Sequence, residues 1–216
     1  MGRNILHCIQ SHVFSKLDHF HFLDWNDARV LVDSLTENVC AMNYKPDLII
    51  GISSGGDYPA ELMSERLGVE HTTMDVSHYS LSVFGLEVDE IIGMYRVATL
   101  MGHKPRTRLV RTVSPEYVFD KNILLIDDDA YSGKTLDIAI NELMRAHPAD
   151  IRTGVLQTHD TNKHVDFSGE KFPKHEYYKQ KFRFPWSKIS PYYNKHGAQQ
   201  RQRSNKPSSV NVDVIY

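Results

Sequence analysis

Residues 123–135 read Ile-Leu-Leu-Ile-Asp-Asp-Asp-Ala-Tyr-Ser-Gly-Lys-Thr. The first four residues form a continuous apolar run, which is typical of a strand buried on both faces of a parallel sheet. Three carboxylates follow, at Asp127, Asp128 and Asp129, and a short turn at 131–135 leads into a helix. Because α/β proteins bind ligands at the carboxyl ends of their strands, the segment predicts a strand that ends in an acidic ligand site.

The turn at 131–135 has the chemistry of a phosphate cradle. Backbone N–H groups at the start of a helix suit an anion, and neighbouring carboxylates suit sugar hydroxyls or a Mg²⁺-bound polyol. An NTP-binding P-loop also ends in Gly-Lys-Thr, but it needs a glycine five positions before its Gly-Lys pair, where this chain has Asp128. An ordinary strand–turn–helix with an acidic rim stays open as the simpler interpretation.

A second strand–loop–helix unit precedes the first. Residues 48–50 form another apolar run, which ends in the glycine-containing loop 51–56. We expect Asp57 to cap the following helix and Gly68 to end it. Further strands are predicted at 72–76 and 153–157. Alternating strands and helices predict an α/β fold, a mainly parallel twisted sheet flanked by helices.

The composition and net charge of the chain argue against some classes of function. The 216 residues include 25 Lys and Arg and 27 Asp and Glu, for a formal net charge of −2, so neither nucleic-acid nor membrane binding is expected. No apolar run approaches the roughly 20 residues that span a bilayer. The N-terminal residues lack the pattern of a signal peptide, and we therefore expect a cytoplasmic protein.

The apolar run, the carboxylates and the turn of residues 123–135 together resemble the phosphoribosyl-pyrophosphate (PRPP) signature of type I phosphoribosyltransferases. Residues 47–56 are similar to the first strand and pyrophosphate loop of that family. Phe184-Pro185-Trp186 resembles a motif near the C-terminus of bacterial xanthine- and hypoxanthine-type purine enzymes. The resemblance covers roughly residues 24–186. It implies transfer of ribose 5-phosphate from PRPP to a nitrogenous base, with release of pyrophosphate and a requirement for Mg²⁺.

The resemblance also implies roles for individual residues. Asp127 and Asp128 would be the catalytic carboxylates, which hold the ribose hydroxyls and, through PRPP, the metal ion. The 5-phosphate would be held by the turn residues Tyr131, Ser132, Gly133, Lys134 and Thr135. Pyrophosphate would be held by the loop residues Ser53, Ser54, Gly55 and Gly56. Candidates for the acceptor site are His159, Asp160, Phe184 and Trp186.

Two positions depart from the purine-salvage pattern. Ser54 stands where a cation is usual, and Tyr131 stands where an aspartate usually faces the base. Arg108 and Arg111 are candidate pyrophosphate cations in place of the one missing at 54, although a solvated basic turn is an equal interpretation. These departures motivate an alternative function, a PRPP- or nucleotide-sensing regulatory module of the same fold without turnover.

The predicted domain runs from 1 to 194. It contains a mobile loop at about 77–117 and a small C-terminal hood at about 160–194, and a flexible polar tail follows at 195–216. Dimers are common among proteins that resemble this chain, which makes a homodimer an expectation.

Overall fold

The computed structural model of the protein describes residues 20–79, 82–83, 86–87, 106–187 and 190–193. The strands are β1 (Phe20–Phe22), β2 (Leu48–Ser53), β3 (His71–Tyr79), β4 (Ser82–Val83), β5 (Leu86–Glu87), β6 (Arg106–Arg111), β7 (Asn122–Ala130), β8 (Asp150–His159), β9 (Phe167–Phe172) and β10 (Lys181–Arg183). The α-helices are α1 (Trp25–Ala41), α2 (Asp57–Leu67), α3 (Pro115–Val118), α4 (Lys134–Leu143) and α5 (Lys174–Tyr177).

The central sheet has six strands in the order β6-β3-β2-β7-β8-β9. Every neighbouring pair is parallel except β3 and the edge strand β6, which are antiparallel. The mainly parallel sheet predicted from the sequence is thus confirmed. Its acidic strand β7 lies at the centre, between β2 and β8, so the carboxyl ends of these three strands meet at one edge.

Alternate residues of β7 lie on opposite faces of the sheet. On one face, Leu124 and Ile126 pack in a core with Leu35 of α1. On the other face, Leu125 packs in a second core that includes Leu136 of α4. Because both faces are covered, the apolar run in β7 has no polar alternation, as the sequence indicated.

Two aspartates fix the start of α1. The Asp24 side chain accepts hydrogen bonds from the backbone N–H groups of Asn26 and Asp27, at 2.8 and 2.9 Å. The Asp27 side chain in turn accepts from the backbone N–H of Asp24 at 2.9 Å. This reciprocal capping box fixes the helix directly after β1.

The segment predicted as a mobile loop, 77–117, belongs to the sheet at both ends. Residues 77–79 complete β3 and pair with 106–108 of β6, and 115–118 form α3. Antiparallel pairing satisfies the backbone groups of both ends. The interior of the segment, apart from β4 and β5, and the predicted tail at 195–216 lie outside the described residues.

The segment predicted as the hood, 160–194, is divided between two sheets. β9 lies at the edge of the central sheet, and we use the name hood for the elements that follow it, α5 and β10, together with the residues up to 187 and 190–193. β10 pairs in parallel with β1 in a separate two-stranded sheet. The hood lies beside the edge at which β7 and β8 end. No helix in the described ranges has the length and apolarity of a bilayer-spanning segment.

Candidate functional site

The site is centred on the end of β7, where three consecutive carboxylates lie. Asp127 is buried, and Asp128 and Asp129 are half-buried. The backbone N–H of Asp128 donates to Asp127 Oδ1 at 2.9 Å, and that of Asp129 donates to Asp128 Oδ1 at 2.8 Å. These bonds fix the carboxylates in sequence along the edge of the sheet.

Burial raises the pKa values of all three carboxyl groups, and repulsion from Asp128 adds to this for Asp127 and Asp129. Desolvation is the main cause for Asp127, and the charge of Asp128 adds to it. Desolvation also raises the pKa of Asp128, opposed by its hydrogen bond from Trp186. The pKa of Asp129 is raised to about 7 by burial and by the charge of Asp128. A cluster of this kind favours a bound cation or hydroxyl donors, because either stabilises the ionised form.

The glycine loop after β2 packs directly on these acids. An added Cβ on Gly55 would lie 2.5 Å from Asp128 Oδ1, and one on Gly56 would lie 2.1 Å from the carbonyl oxygen of Ile126. Only glycine therefore allows this approach of the loop to β7. The peptide bond between Ser53 and Ser54 is cis.

Asp57 does not cap α2, so that prediction is wrong. The N-cap is Gly56, with no side-chain cap, and Asp57 is the first helical residue. Its carboxylate instead accepts a hydrogen bond from the Ser53 hydroxyl, at 2.9 Å to Oδ1. The cause is the tight turn of the loop, which starts the helix one residue earlier. Gly68 ends the helix in the left-handed conformation, with φ of 66°, as predicted.

The turn at 131–135 leads from β7 into α4. Gly133 has φ of 73° and is the N-cap of the helix. The exposed side chains of Tyr131, Ser132 and Lys134 border the turn. The phosphate cradle, in which backbone N–H groups at a helix start face a ligand, stays a prediction for these residues.

His164, which the sequence analysis missed, covers this turn. A Cβ on Gly133 would lie 2.5 Å from His164 Cγ. His164 Nδ1 lies 2.7 Å from Asp137 Oδ1 in the first turn of α4. In the sequence, the one indication of this close contact was the glycine at position 133. Its left-handed backbone and its close neighbour both exclude a side chain.

Aromatic side chains from the hood and β8 surround Tyr131. Its ring lies 5.1 Å from that of Tyr177 and 4.8 Å from that of Tyr178, centroid to centroid. The Tyr178 hydroxyl donates to the Tyr131 carbonyl oxygen at 3.3 Å. His159 is buried, and its ring lies 5.6 Å from that of Tyr178. The hood thus places a cluster of mutually tilted aromatic rings beside the turn at 131–135.

The other acceptor candidates have different surroundings. Asp160 is exposed, and its carboxylate accepts a hydrogen bond from the backbone N–H of Lys174 at 3.2 Å. Phe184 is buried behind Trp186, with parallel rings 5.0 Å apart. Trp186 Nε1–H donates to Asp128 Oδ2 at 2.8 Å. The structure brings Trp186 to the acids, whereas Phe184 and Asp160 have partners elsewhere.

Arg111 lies at the same end of the sheet as the glycine loop. Ser53 is in register with Asp75 of β3, and Asp75 with Arg111 of β6. The Arg111 guanidinium donates to Thr73 Oγ1 at 2.8 Å, while its buried Nε has no partner in the described part of the chain. Arg108 contributes its backbone to β6, but its side chain lies outside what the structure describes.

Within the described residues, no three His, Cys, Asp or Glu side chains form a group that could hold a metal ion by themselves. Asp127 and Asp128 supply carboxylate oxygens at one place.

Comparisons with known proteins match this arrangement. A family model described as "Phosphoribosyl transferase domain" matches residues 22–186. The bifunctional protein PyrR of Geobacter sp. (strain M21) is 28% identical over 130 residues, an alignment that covers 58% of this chain and 67% of that protein. Xanthine phosphoribosyltransferase 1 of Saccharomyces cerevisiae is 25% identical over 127 residues, which cover 56% of this chain and 59% of the yeast protein.

A solved structure shows the same fold. The purine phosphoribosyltransferase from Pyrococcus horikoshii Ot3 superposes with a TM-score of 0.56 and 24% identity, over 77% of this chain and 93% of that one. The shared fold includes the mainly parallel sheet with helices on both faces.

Proposed function

Because this chain belongs to the phosphoribosyltransferase family, and so to a class of enzymes, we propose that it transfers ribose 5-phosphate from PRPP to a nitrogenous base in a Mg²⁺-dependent reaction. A ring nitrogen of the base attacks the anomeric carbon, the bond from that carbon to the pyrophosphate oxygen breaks, and pyrophosphate leaves. We place this reaction in the cytoplasm.

One observation carries the proposal: the carboxylate of Asp128 lies between two loops that are suited to anions. The glycine loop approaches it from β2, and the turn at 131–135 follows it along β7. PRPP carries a phosphate at one end of its ribose and pyrophosphate at the other, with hydroxyls between them. The order of chemical groups along the sheet edge therefore matches the order of groups in this substrate.

We assign the ribose hydroxyls to Asp127 and Asp128. The 5-phosphate is assigned to the backbone and hydroxyl groups of 131–135, and pyrophosphate to the loop 53–56. The protein then acts mainly by holding the anomeric carbon and the base nitrogen in line. The carboxylates also face the positive charge that develops on the ribose ring as the bond to pyrophosphate breaks.

Mg²⁺ fits this donor set. It prefers oxygen ligands and in nucleotide sites is bound by one or two carboxylates together with substrate phosphates. Asp127 and Asp128 would hold it through PRPP, and a bound cation would oppose the rise in pKa that burial causes in both carboxyl groups. When bound, the ion shares the negative charge of the leaving pyrophosphate.

Arg111 is our candidate for the cation that position 54 lacks. Its register with Asp75, next to Ser53, places it on the side of the sheet edge where pyrophosphate would lie. The buried Nε without a described partner leaves one donor of the guanidinium unused.

The acceptor that the hood favours is a flat heteroaromatic base, and we propose a purine. Tyr131 and Tyr178 border the turn with aromatic faces, and flat rings gain from stacking on such faces. The yeast relative is named for xanthine, which belongs to this class. Tyr131 can donate or accept a hydrogen bond through its hydroxyl, although it cannot replace a carboxylate.

Differential scanning fluorimetry with Mg²⁺ and PRPP tests the proposal. The wild-type melting temperature should rise, because a ligand that binds the folded state stabilises it. Asp128→Asn should abolish the rise, whereas Asp33→Asn, which removes a surface carboxylate that pairs with Arg66, should leave it unchanged. A wild-type protein without any shift at saturating PRPP would refute the assignment.

The regulatory alternative rests on Ser54, an exposed residue without a cationic side chain. A sensing module would bind PRPP and yet release no pyrophosphate. Pyrophosphate release over a panel of purine and pyrimidine bases separates the two functions, since sustained turnover with any base excludes a pure sensor.

A further inference from the structure

We infer that Trp186 is a positioning residue of the ribose site, whose indole N–H holds the carboxylate of Asp128 in the orientation that receives the substrate. The inference rests on the proposed function, because it assigns Asp128 to ribose.

The hydrogen bonds of Asp128 show what the indole does. Oδ2 accepts from Trp186 Nε1 at 2.8 Å, and Oδ1 accepts from the backbone N–H of Asp129 at 2.8 Å. A carboxylate held at both oxygens cannot rotate without breaking one of these bonds. Each oxygen has about two lone-pair sites, so one site on each stays available to a ribose hydroxyl.

Trp186 is itself held by aromatic side chains from three parts of the chain. Its ring is parallel to that of Phe184, 8° apart in plane and 5.0 Å between centroids. It also lies 5.2 Å from the ring of Tyr58 and 6.1 Å from that of Trp25. Phe184 and Tyr58 are both buried. This packing leaves the indole little freedom, as a group that orients another group requires.

The same ring connects the two anion loops. Tyr58 is in the first turn of α2, immediately after the glycine loop, and Gly55 of that loop contacts the Asp128 carboxyl group. The indole therefore supports Asp128 from one side while packing on the helix that follows the pyrophosphate loop. Its effect on the substrate passes through Asp128, which distinguishes it from a residue that stacks on the acceptor base.

Trp186→Phe is the decisive variant, because it keeps an aromatic ring and removes the N–H donor. The matched control is Trp25→Phe, since the Trp25 indole donates to the Tyr192 carbonyl oxygen at 3.4 Å, away from the acids. We expect Trp186→Phe to weaken binding of Mg·PRPP about tenfold or more in calorimetric titrations, the range for loss of a hydrogen bond to a charged group. The control keeps an aromatic ring beside Trp186 and leaves the bond from Trp186 to Asp128 in place, so its affinity should stay within about twofold of wild type.

Two further readouts separate positioning from a general packing defect. In urea denaturation, Trp186→Phe should lower the free energy of unfolding in wild type and lower it less in the Asp128→Asn background, because the indole donates to that carboxylate. The chain has two tryptophans, so an ¹⁵N-labelled sample gives two indole cross-peaks, and Trp186→Phe identifies one of them. Mg·PRPP should shift that peak, and Asp128→Asn should shift it without any ligand.

The outcomes also distinguish this inference from the proposed function. If wild-type protein binds Mg·PRPP and Trp186→Phe binds it equally well, the positioning role is wrong while the proposed function stands. If Trp186→Phe lowers the free energy of unfolding by the same amount in the Asp128→Asn background as in wild type, the indole acts by another route. Absence of PRPP binding by the wild type overturns both.

Discussion

Gly55→Ala tests the contact on which the site depends. The new Cβ would lie 2.5 Å from both Cγ and Oδ1 of Asp128 and 2.6 Å from Oδ2. To reach ordinary contact distance, the carboxyl group or the loop has to retreat by about 1 Å. Because the obstacle is the end of a side chain rather than backbone, we expect the variant to fold.

The retreat has two measurable consequences. Moving Asp128 by this amount would stretch its 2.8 Å bond from Trp186 beyond hydrogen-bonding distance. Overpacking of this size lowers the free energy of unfolding by about 1–3 kcal/mol. Misplacement of a substrate-binding group by 1 Å can cost about 100-fold, so the affinity for Mg·PRPP should fall by one to two orders of magnitude.

Urea denaturation and calorimetric titration with Mg·PRPP measure the two effects separately. The control is Gly68→Ala, where φ is 66° and no atom of the described residues lies within 4 Å of the added Cβ. Left-handed strain should destabilise that variant by about 1–2 kcal/mol, yet its PRPP affinity should equal that of wild type. Wild-type affinity in Gly55→Ala, or an equal loss in Gly68→Ala, would show that the contact with Asp128 does not matter for binding.

The remaining predictions concern stability. The Tyr177 hydroxyl is buried without a partner among the described residues, so Tyr177→Phe should leave the free energy of unfolding unchanged or raise it by up to about 1 kcal/mol. Tyr44→Phe should lower it by about 1 kcal/mol, because the Tyr44 hydroxyl donates to the carbonyl of Ile123 at 2.9 Å; equal effects in urea denaturation would contradict this. The pKa of Asp129 is raised from 3.8 to about 7, so the folded state holds a proton that the unfolded chain releases. Stability should therefore fall as pH rises from 3.8 to about 7, and an unaltered pH profile in Asp129→Asn would refute that assignment.

Sequence alone was sufficient where the signal is contiguous. The apolar run at 123–126 and the carboxylates that follow it share one strand, so their period and order predict both the strand and its acidic end. Pairing of β7 with β2 and β8 then follows from the tendency of alternating strands and helices to form a parallel sheet.

Contacts between distant segments could not be predicted in this way. Trp186 and Asp128 are 58 positions apart, and their bond depends on how the hood packs against α1 and α2. The indole N–H of a buried tryptophan usually finds a partner, which predicts an acceptor but does not identify it. The residues around His164 did not predict its role, because its contact with Gly133 is made by the loop between β8 and β9.

The pairing of β1 with β10 has a consequence for the integrity of the protein. These two strands join the beginning and end of the described chain, so their pairing closes a long stretch of chain and costs more entropy than a local contact. β10 is followed directly by Phe184–Trp186. A protease that cuts between residues 22 and 25 would leave the six-stranded sheet connected, but it would separate β1, the partner strand of β10, from that sheet. Limited proteolysis at that point should therefore yield a nicked protein that keeps its core but binds Mg·PRPP more weakly.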